Sequence, residues 1–306
     1  MRAKLLAVLG FTLTLGTAAF VISCAKLATT ADTATSSTCT LTSDTTGSGV
    51  TTSGISGSCE RLTRDVTSCQ ASRTAQGLSG QWLNFSCRVT LTLSGGNVTI
   101  VTDSQPDYTS RYFSTSSACY VAQTTTYPDP NTISAQSISM TVPFAPSSTA
   151  HATMGMGTVG MALNGVVIYD PVAAGSDNIY DEAGSFDYCE GHPQNSGQYH
   201  YHSEPYSITS GDSNLIGVAR DGYFIYGRND SNGTLATGAG NGTWLTAYGG
   251  HVGVPPTGGA SIFHYHAHLQ AGSNTLGNTV NAYFLTGNGT TTGANYYGTA
   301  GACTGC

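Results

Sequence analysis

Gly160-Met161-Ala162-Leu163-Asn164-Gly165-Val166-Val167-Ile168-Tyr169 is written a second time as Gly217-Val218-Ala219-Arg220-Asp221-Gly222-Tyr223-Phe224-Ile225-Tyr226. Both copies fit Gly-x-Ala-x-(Asn/Asp)-Gly-x-x-Ile-Tyr. An Asx-Gly pair between two β-prone runs predicts a hairpin, because Gly and Asx tolerate the positive φ that the turn demands. After the first copy come Gly191-His192 and then Tyr199-His200-Tyr201-His202. After the second come Gly250-His251 and then Phe263-His264-Tyr265-His266-Ala267-His268. His192 follows Gly160 by 32 positions and His251 follows Gly217 by 34. The same compound pattern in the same order predicts an internal repeat related by a pseudo-twofold.

The histidine runs alternate imidazole with aromatic or small residues. A strand sends successive side chains to opposite faces. His200 and His202 are therefore expected on one face, and His264, His266 and His268 together on another. Tyr199, Tyr201, Phe263 and Tyr265 then point the other way, into a core.

The rest of the chain supports a β-rich, exported protein. Only 9% of the 306 residues are charged, while Gly, Ser and Thr are abundant and there are 17 Tyr. The net charge of −7 argues against nucleic acid or an anionic membrane surface as a partner. Residues 1–23 read as a signal peptide of the lipoprotein type. Arg2 and Lys4 precede an apolar run from Leu5 to Ile22, and Val21-Ile22-Ser23-Cys24 has the form of a site where Cys24 is acylated after cleavage. An ordinary secretory signal and an uncleaved anchor are the alternatives, and each exports the chain. Residues 24–58, rich in Ser and Thr, read as a flexible tether between membrane and folded part.

Apart from Cys24 there are eight cysteines: Cys39, Cys59, Cys69, Cys87, Cys119, Cys189, Cys303 and Cys306. An even number in an exported chain implies disulfides, with pairing left open. Cys303-Thr-Gly-Cys306 is a CxxC that reads as a tail tied down by disulfides, with a redox or metal pair as the alternatives. Residues 59–145 read as a disulfide-rich β region. A strand is expected over Leu83–Leu93, a turn at Ser94-Gly95-Gly96-Asn97, a strand from Val98 to Val101 and another from Ile133 to Val142. Helix should be scarce. The fold expectation is mostly β: a β-sandwich-like domain built from two pseudo-repeats over 146–306, preceded by that region.

The segment from Gly160 to about His268 resembles the YHYH-domain family of exported proteins. Gly191-His192-Pro193, Tyr199-His200-Tyr201-His202, Gly217 through Gly227 and His264-Tyr265-His266 carry the resemblance. Phe263 departs from the leading Tyr, and Gly249-Gly250-His251 departs from a polar context.

Two matched histidine triplets point to metal. His192, His200 and His202 make one set, and His251, His264 and His266 the other. Three imidazoles with an open position suit zinc or copper. His268 is a candidate extra member, and Asp187, Glu190, Glu204 and Asp221 are candidate carboxylates for orienting the rings. One shared site and two separate sites are both open. Met154, Met156 and Met161 near His151 lean the metal towards copper if they are ligands, and read otherwise as strand core. The functional expectation is an exported, lipid-anchored protein that captures or handles copper or zinc. The alternatives are an envelope metal-dependent hydrolase or oxidase, and a structural or adhesive surface protein with hydrogen-bonded histidines.

Overall fold

The computed structural model describes Cys39 and residues 64–123, 127–148, 151–175, 177–205, 208, 213–237, 243–244, 248–285 and 295–306. The signal peptide, Cys24, Cys59 and nearly all of the tether lie outside these residues. Among the described residues no helix is long and apolar enough to cross a membrane. Three strands open the fold: β1 (Thr90–Ser94), β2 (Asn97–Thr102) and β3 (Ile138–Pro143). The first repeat supplies β4 (Thr158–Ala162), β5 (Val167–Tyr169), β6 (Gly191–Pro193) and β7 (Tyr199–Tyr201). β8 (Leu215–Ala219) and β9 (Phe224–Tyr226) open the second repeat. The short parallel pair β10 (Ala236–Thr237) and β11 (Thr243–Trp244) comes next, then β12 (Gly250–Gly253) and β13 (Ile262–His266). β14 (His268–Ser273) pairs with β15 (Thr279–Phe284), and β16 (Cys303–Thr304) ends the chain.

The main sheet has eight strands in the order β12-β13-β9-β8-β4-β5-β7-β6. Read outward from its centre, each half is the same. β4 runs antiparallel to β5, β5 parallel to β7, and β7 antiparallel to β6. β8, β9, β13 and β12 repeat those senses in that order. The halves meet where β4 pairs with β8. Gly160 lies opposite Ala219, Met161 opposite Val218 and Ala162 opposite Gly217, so the pseudo-twofold passes between Met161 and Val218. The repeat begins with Gly for a steric reason. A Cβ at Gly217 would sit 2.1 Å from the Met161 carbonyl oxygen, and one at Gly160 would sit 2.7 Å from that of Val218. The turns match as well: Gly165 and Gly222 have φ of 89° and 88°, and each amide donates to the carbonyl of Ala162 or Ala219 at 2.9 Å.

A second sheet, β1-β2-β3-β16, joins the N-terminal region to the last residues of the chain. Val98, Ile100, Met140 and Val142 from this sheet belong to the same buried core as Val159, Met161, Val218 and Ile225. The protein is thus mostly β, with two principal sheets sharing a core. Disulfides link Cys39 with Cys119, Cys69 with Cys87, and Cys303 with Cys306; Cys189 is disulfide-bonded too.

Three local expectations are corrected, the first being the strand expected from Ile133, which begins only at Ile138. The strand expected over Leu83–Leu93 begins only at Thr90, and residues 80–84 form a 3₁₀ turn. The buried Arg73 on α1 (Gln70–Ala75) donates to the carbonyls of Phe85, Ser86 and Val89 at 2.5, 2.8 and 2.7 Å. Those carbonyls are satisfied by a guanidinium instead of a neighbouring strand. His268 also leaves the row that alternation gave it. β13 ends at His266, the Ala267 amide donates to the Tyr226 carbonyl, and His268 starts β14 in a separate two-stranded sheet.

Candidate metal centres

Strand pairing places His192 opposite His200 on β6 and β7, and Val167 opposite His200 on β5. The row continues through Met161, Val218 and Phe224 to His264 and His251. Paired residues project to one face. One row across the sheet therefore carries a histidine pair at each end, and two residues further along the chain lie His202, just past the end of β7, and His266, the last residue of β13. The two sets are five strand steps apart, on the order of 24 Å along the sheet at the usual spacing. They are two separate clusters. On the opposite face the aromatic residues are buried as expected: Tyr199, Tyr201 and Tyr265 are 0% exposed.

In the first cluster the ligand-capable atoms of Glu182, His192, His200 and His202 all lie within 4.8 Å of one another. His200 Nε2 is 3.1 Å from His202 Nε2, and His192 Nε2 is 3.5 Å from Glu182 Oε1. A tetrahedral ion with bonds of about 2.0–2.1 Å has ligand–ligand edges of roughly 3.3 Å. Glu182 comes from α2 (Ile179–Glu182), whose first turn is capped by the Asn178 side chain accepting from the Tyr180 amide. Asp129 approaches the other side of the His192 ring, 3.6 Å from Nδ1.

The tautomers follow from the partners of each Nδ1. His200 Nδ1 lies 3.2 Å from the Gln198 carbonyl, and His202 Nδ1 lies 2.6 Å from the Asp170 carbonyl. A carbonyl only accepts, so both rings carry their proton on Nδ1. His192 Nδ1 is 2.7 Å from Ser185 Oγ, whose own proton goes to the Glu182 carbonyl at 2.7 Å. That ring also donates from Nδ1. All three Nε2 atoms thus turn bare lone pairs towards one carboxylate. His192 Nε2 and Glu182 Oε2 are buried without a hydrogen-bond partner among the described residues.

Burial holds His192 and His200 well below the ordinary imidazole pKa and His202 down to about 4, so the rings resist protonation. Burial, with Asp177, Asp129 and Asp170 nearby, pushes Glu182 up to about 7, and burial lifts Asp170 to about 6. Carboxylates pushed up beside imidazoles pushed down describe a compartment short of positive charge. Tyr169 stacks on His200 at 4.0 Å and Phe186 lies parallel to His202 at 5.9 Å, fixing both rings.

The second cluster repeats the arrangement with Asp230, His251, His264 and His266. His251 Nε2 is 3.2 Å from His266 Nε2. Asp230 lies 3.7 Å from His251 Nε2 and 3.9 Å from His264 Nε2. His266 Nδ1 is 2.8 Å from the Gly227 carbonyl and His264 Nδ1 is 3.0 Å from that of Ile262. His264 Nε2 is again buried without a hydrogen-bond partner among the described residues. Burial lowers His251 and His264 and brings His266 to about 4.

The other candidates lie elsewhere. Asp187 is on the tyrosine side, accepting from Ser110, from Tyr199 at 2.7 Å and from the Cys189 amide at 2.9 Å. Asp221 also lies on the tyrosine side, accepting from Tyr265 at 2.6 Å and from the Gly298 amide at 2.9 Å. Glu190 accepts from Ser203, and the buried Glu204 pairs with Arg228. His268 is bonded to the His266 carbonyl and Gln270. Met161 and Met154 are core, Met156 is exposed, and His151 stacks on Tyr248. Reading the sequence missed Glu182 and Asp230. The only signal for Glu182 was the acidic run Asp177 to Glu182 in a chain sparse in charge; Asp230 sits in an Asn-Asp-Ser-Asn-Gly turn with no signal of its own.

No curated protein and no solved structure matches the chain. A family model described as YHYH protein matches residues 139–297. That span is slightly over half of the sequence and contains both hairpins and both histidine clusters, so the chain belongs to the YHYH protein family.

Proposed function

We propose that this is an exported metal-binding protein that holds one zinc or copper ion in each of two pseudo-equivalent His₃-carboxylate centres. The observation that carries the reading is the convergence of unprotonated Nε2 atoms. Two neutral rings that both donate from Nδ1 cannot hydrogen-bond to each other through Nε2, yet His200 and His202 hold those atoms 3.1 Å apart. Facing lone pairs repel unless a cation sits between them. A proton there would meet the burial that depresses both rings, whereas a metal ion suits the donor set and its spacing. Histidines serving only as a hydrogen-bonded layer would donate to one another's acceptors, and these do not.

The disulfides fit an exported protein. Acylation of Cys24 is the anchoring mode we propose from the Val21–Cys24 motif. The first centre lines a cavity of about 640 Å³ with Asp170, Asp177 and Arg220 on its walls. Such access suits capture and release of the ion, and it is the one feature that favours the alternative of metal-assisted hydrolysis. The test is elemental analysis of tag-free protein after exposure to zinc or copper and desalting. Two equivalents per chain are expected. An unloaded wild-type protein with native thermal unfolding would reject the proposal.

A further inference from the structure

The terminal CxxC is not used by the histidine centres, yet it shares their compartment. Cys303 and Cys306 line the 640 Å³ cavity together with His192, His200, His202 and Met156. The tail is held there by the fold. β16 pairs with β3, Cys303 lying opposite Met140. Gly305 has φ 75° and packs so that a Cβ would come 2.2 Å from the Ser137 carbonyl oxygen, which only glycine allows. The Gly305 carbonyl accepts from Gln198 Nε2 at 3.3 Å, and the Gln198 carbonyl in turn orients the His200 ring. Cys39, Cys119 and Cys189 are at most 2% exposed, whereas Cys306 is exposed and Cys303 partly so. An exposed disulfide is the one that exchanges with external thiols.

We propose that Cys303 and Cys306 form a sulfur-based metal station in the first-repeat cavity, closed as a disulfide and opened by reduction, that takes Cu⁺. The proposal rests on reading that cavity as a metal compartment. An external dithiol opens it in two exchange steps. One of its thiolates attacks a sulfur of the Cys303–Cys306 bond and forms a mixed disulfide. Its second thiolate then closes the external reagent as a cyclic disulfide. The reagent loses two electrons, the chain gains two, and two protons end on the Cys303 and Cys306 thiols. Binding of Cu⁺ displaces those protons. Two thiolates with the Met156 thioether make a soft donor set, which selects Cu⁺ over harder ions. The neighbouring imidazoles and Glu182 are the matching set for a divalent ion, so two oxidation states of one metal would find adjacent seats.

The test compares tag-free protein before and after mild dithiothreitol treatment and anaerobic desalting, titrated with Cu⁺ against a chromophoric Cu⁺ chelator. Reduced wild type should hold one more Cu⁺ than oxidised wild type, with a near-ultraviolet sulfur-to-copper band. The reduced Cys303→Ser/Cys306→Ser variant should lack that equivalent and the band. Iodoacetamide treatment of mildly reduced wild type should abolish the gain without any substitution. Equal Cu⁺ in reduced wild type and the reduced variant overturns the station. Zinc loading without the extra Cu⁺ leaves the histidine centres standing and removes only this inference. The extra Cu⁺ in a protein whose histidine centres load neither zinc nor Cu²⁺ supports the station and rejects the histidine reading.

Discussion

The two centres are built from one repeated element but sit in different surroundings. The first is buried on all sides of its imidazoles, His192, His200 and His202 being 4, 2 and 2% exposed, and it opens on a polar cavity ringed by carboxylates. The second has a half-buried His251 on the edge strand β12, and His264 forms part of the wall of an apolar pocket of about 240 Å³ lined by Trp82, Phe144, Phe224 and Phe263. Duplication therefore preserved the strands that aim the rings and left the walls free to diverge. On the proposed reading, metal chemistry at the first centre would be governed by charge and access. At the second it would be governed by an apolar flank and by the greater exposure of His251.

The largest effect expected is loss of a whole equivalent. His200→Ala/His202→Ala should lower metal content from two to one per chain, and His264→Ala/His266→Ala should do the same from the other side. Elemental analysis of both variants, each with wild-type-like circular dichroism, decides it. Loss of both ions from either variant would break the comparison by showing that the centres are coupled. Next come the carboxylates. Glu182→Gln should weaken the first centre, and Asp230→Asn the second, each by roughly 10–100-fold or more with the other unchanged, since removing even a group that only hydrogen-bonds a ligand costs that much. Competition titration against a chelator of known affinity measures it.

The sequence did not disclose those carboxylates. The hairpins, the twofold and the inward tyrosines follow from local rules: Asx-Gly turns and alternation act over a few residues, and they act twice. Asn164 and Asp221 even keep equivalent partners, Tyr201 at 2.9 Å and Tyr265 at 2.6 Å. Glu182 and Asp230 belong to no repeated segment. One is delivered by a capped helical turn and the other by the Asp230–Thr234 turn, and only tertiary packing brings them to the histidines. Asp187, Glu190 and Glu204 lie closer in sequence to the first histidines than Glu182 does, yet they and Asp221 are turned elsewhere. The strand expected at Leu83–Leu93 fell short for a similar reason, since alternation does not reveal that Arg73 will take the carbonyls.

The seam between the halves offers a smaller effect that does not involve metal. Gly217→Ala forces a methyl group to within 2.1 Å of the Met161 carbonyl oxygen and Gly160→Ala to within 2.7 Å of that of Val218. Overpacking of this kind costs about 1–3 kcal/mol. Both should lower the denaturation midpoint of metal-free protein, Gly217→Ala by more. Equal midpoints would show that the seam is looser than its register implies.

The smallest effect is a pH dependence that separates the fold from its cargo. His202 has its folded-state pKa depressed by burial to about 4, against 6.5 for a free imidazole. A depressed pKa contributes stability that is present above about 6.5 and is lost as pH falls towards 4, because the unfolded chain takes up the proton first. Glu182, raised to about 7 mainly by burial, works in the opposite sense: its contribution is complete below 4.5 and is lost as pH rises through 7. The two oppose each other in chelator-treated wild type, so the informative quantity is a difference between variants. His202→Gln should lose less stability than wild type between pH 7 and 5, by on the order of 1–2 kcal/mol from the proton linkage of one buried imidazole. Glu182→Gln should lose more than wild type over the same interval. Urea midpoints of metal-free protein at the two pH values measure both. Parallel acid limbs in all three proteins would mean that these groups are solvated in the metal-free state and that the ion closes the first centre, a behaviour the shallower second centre would then be expected to share.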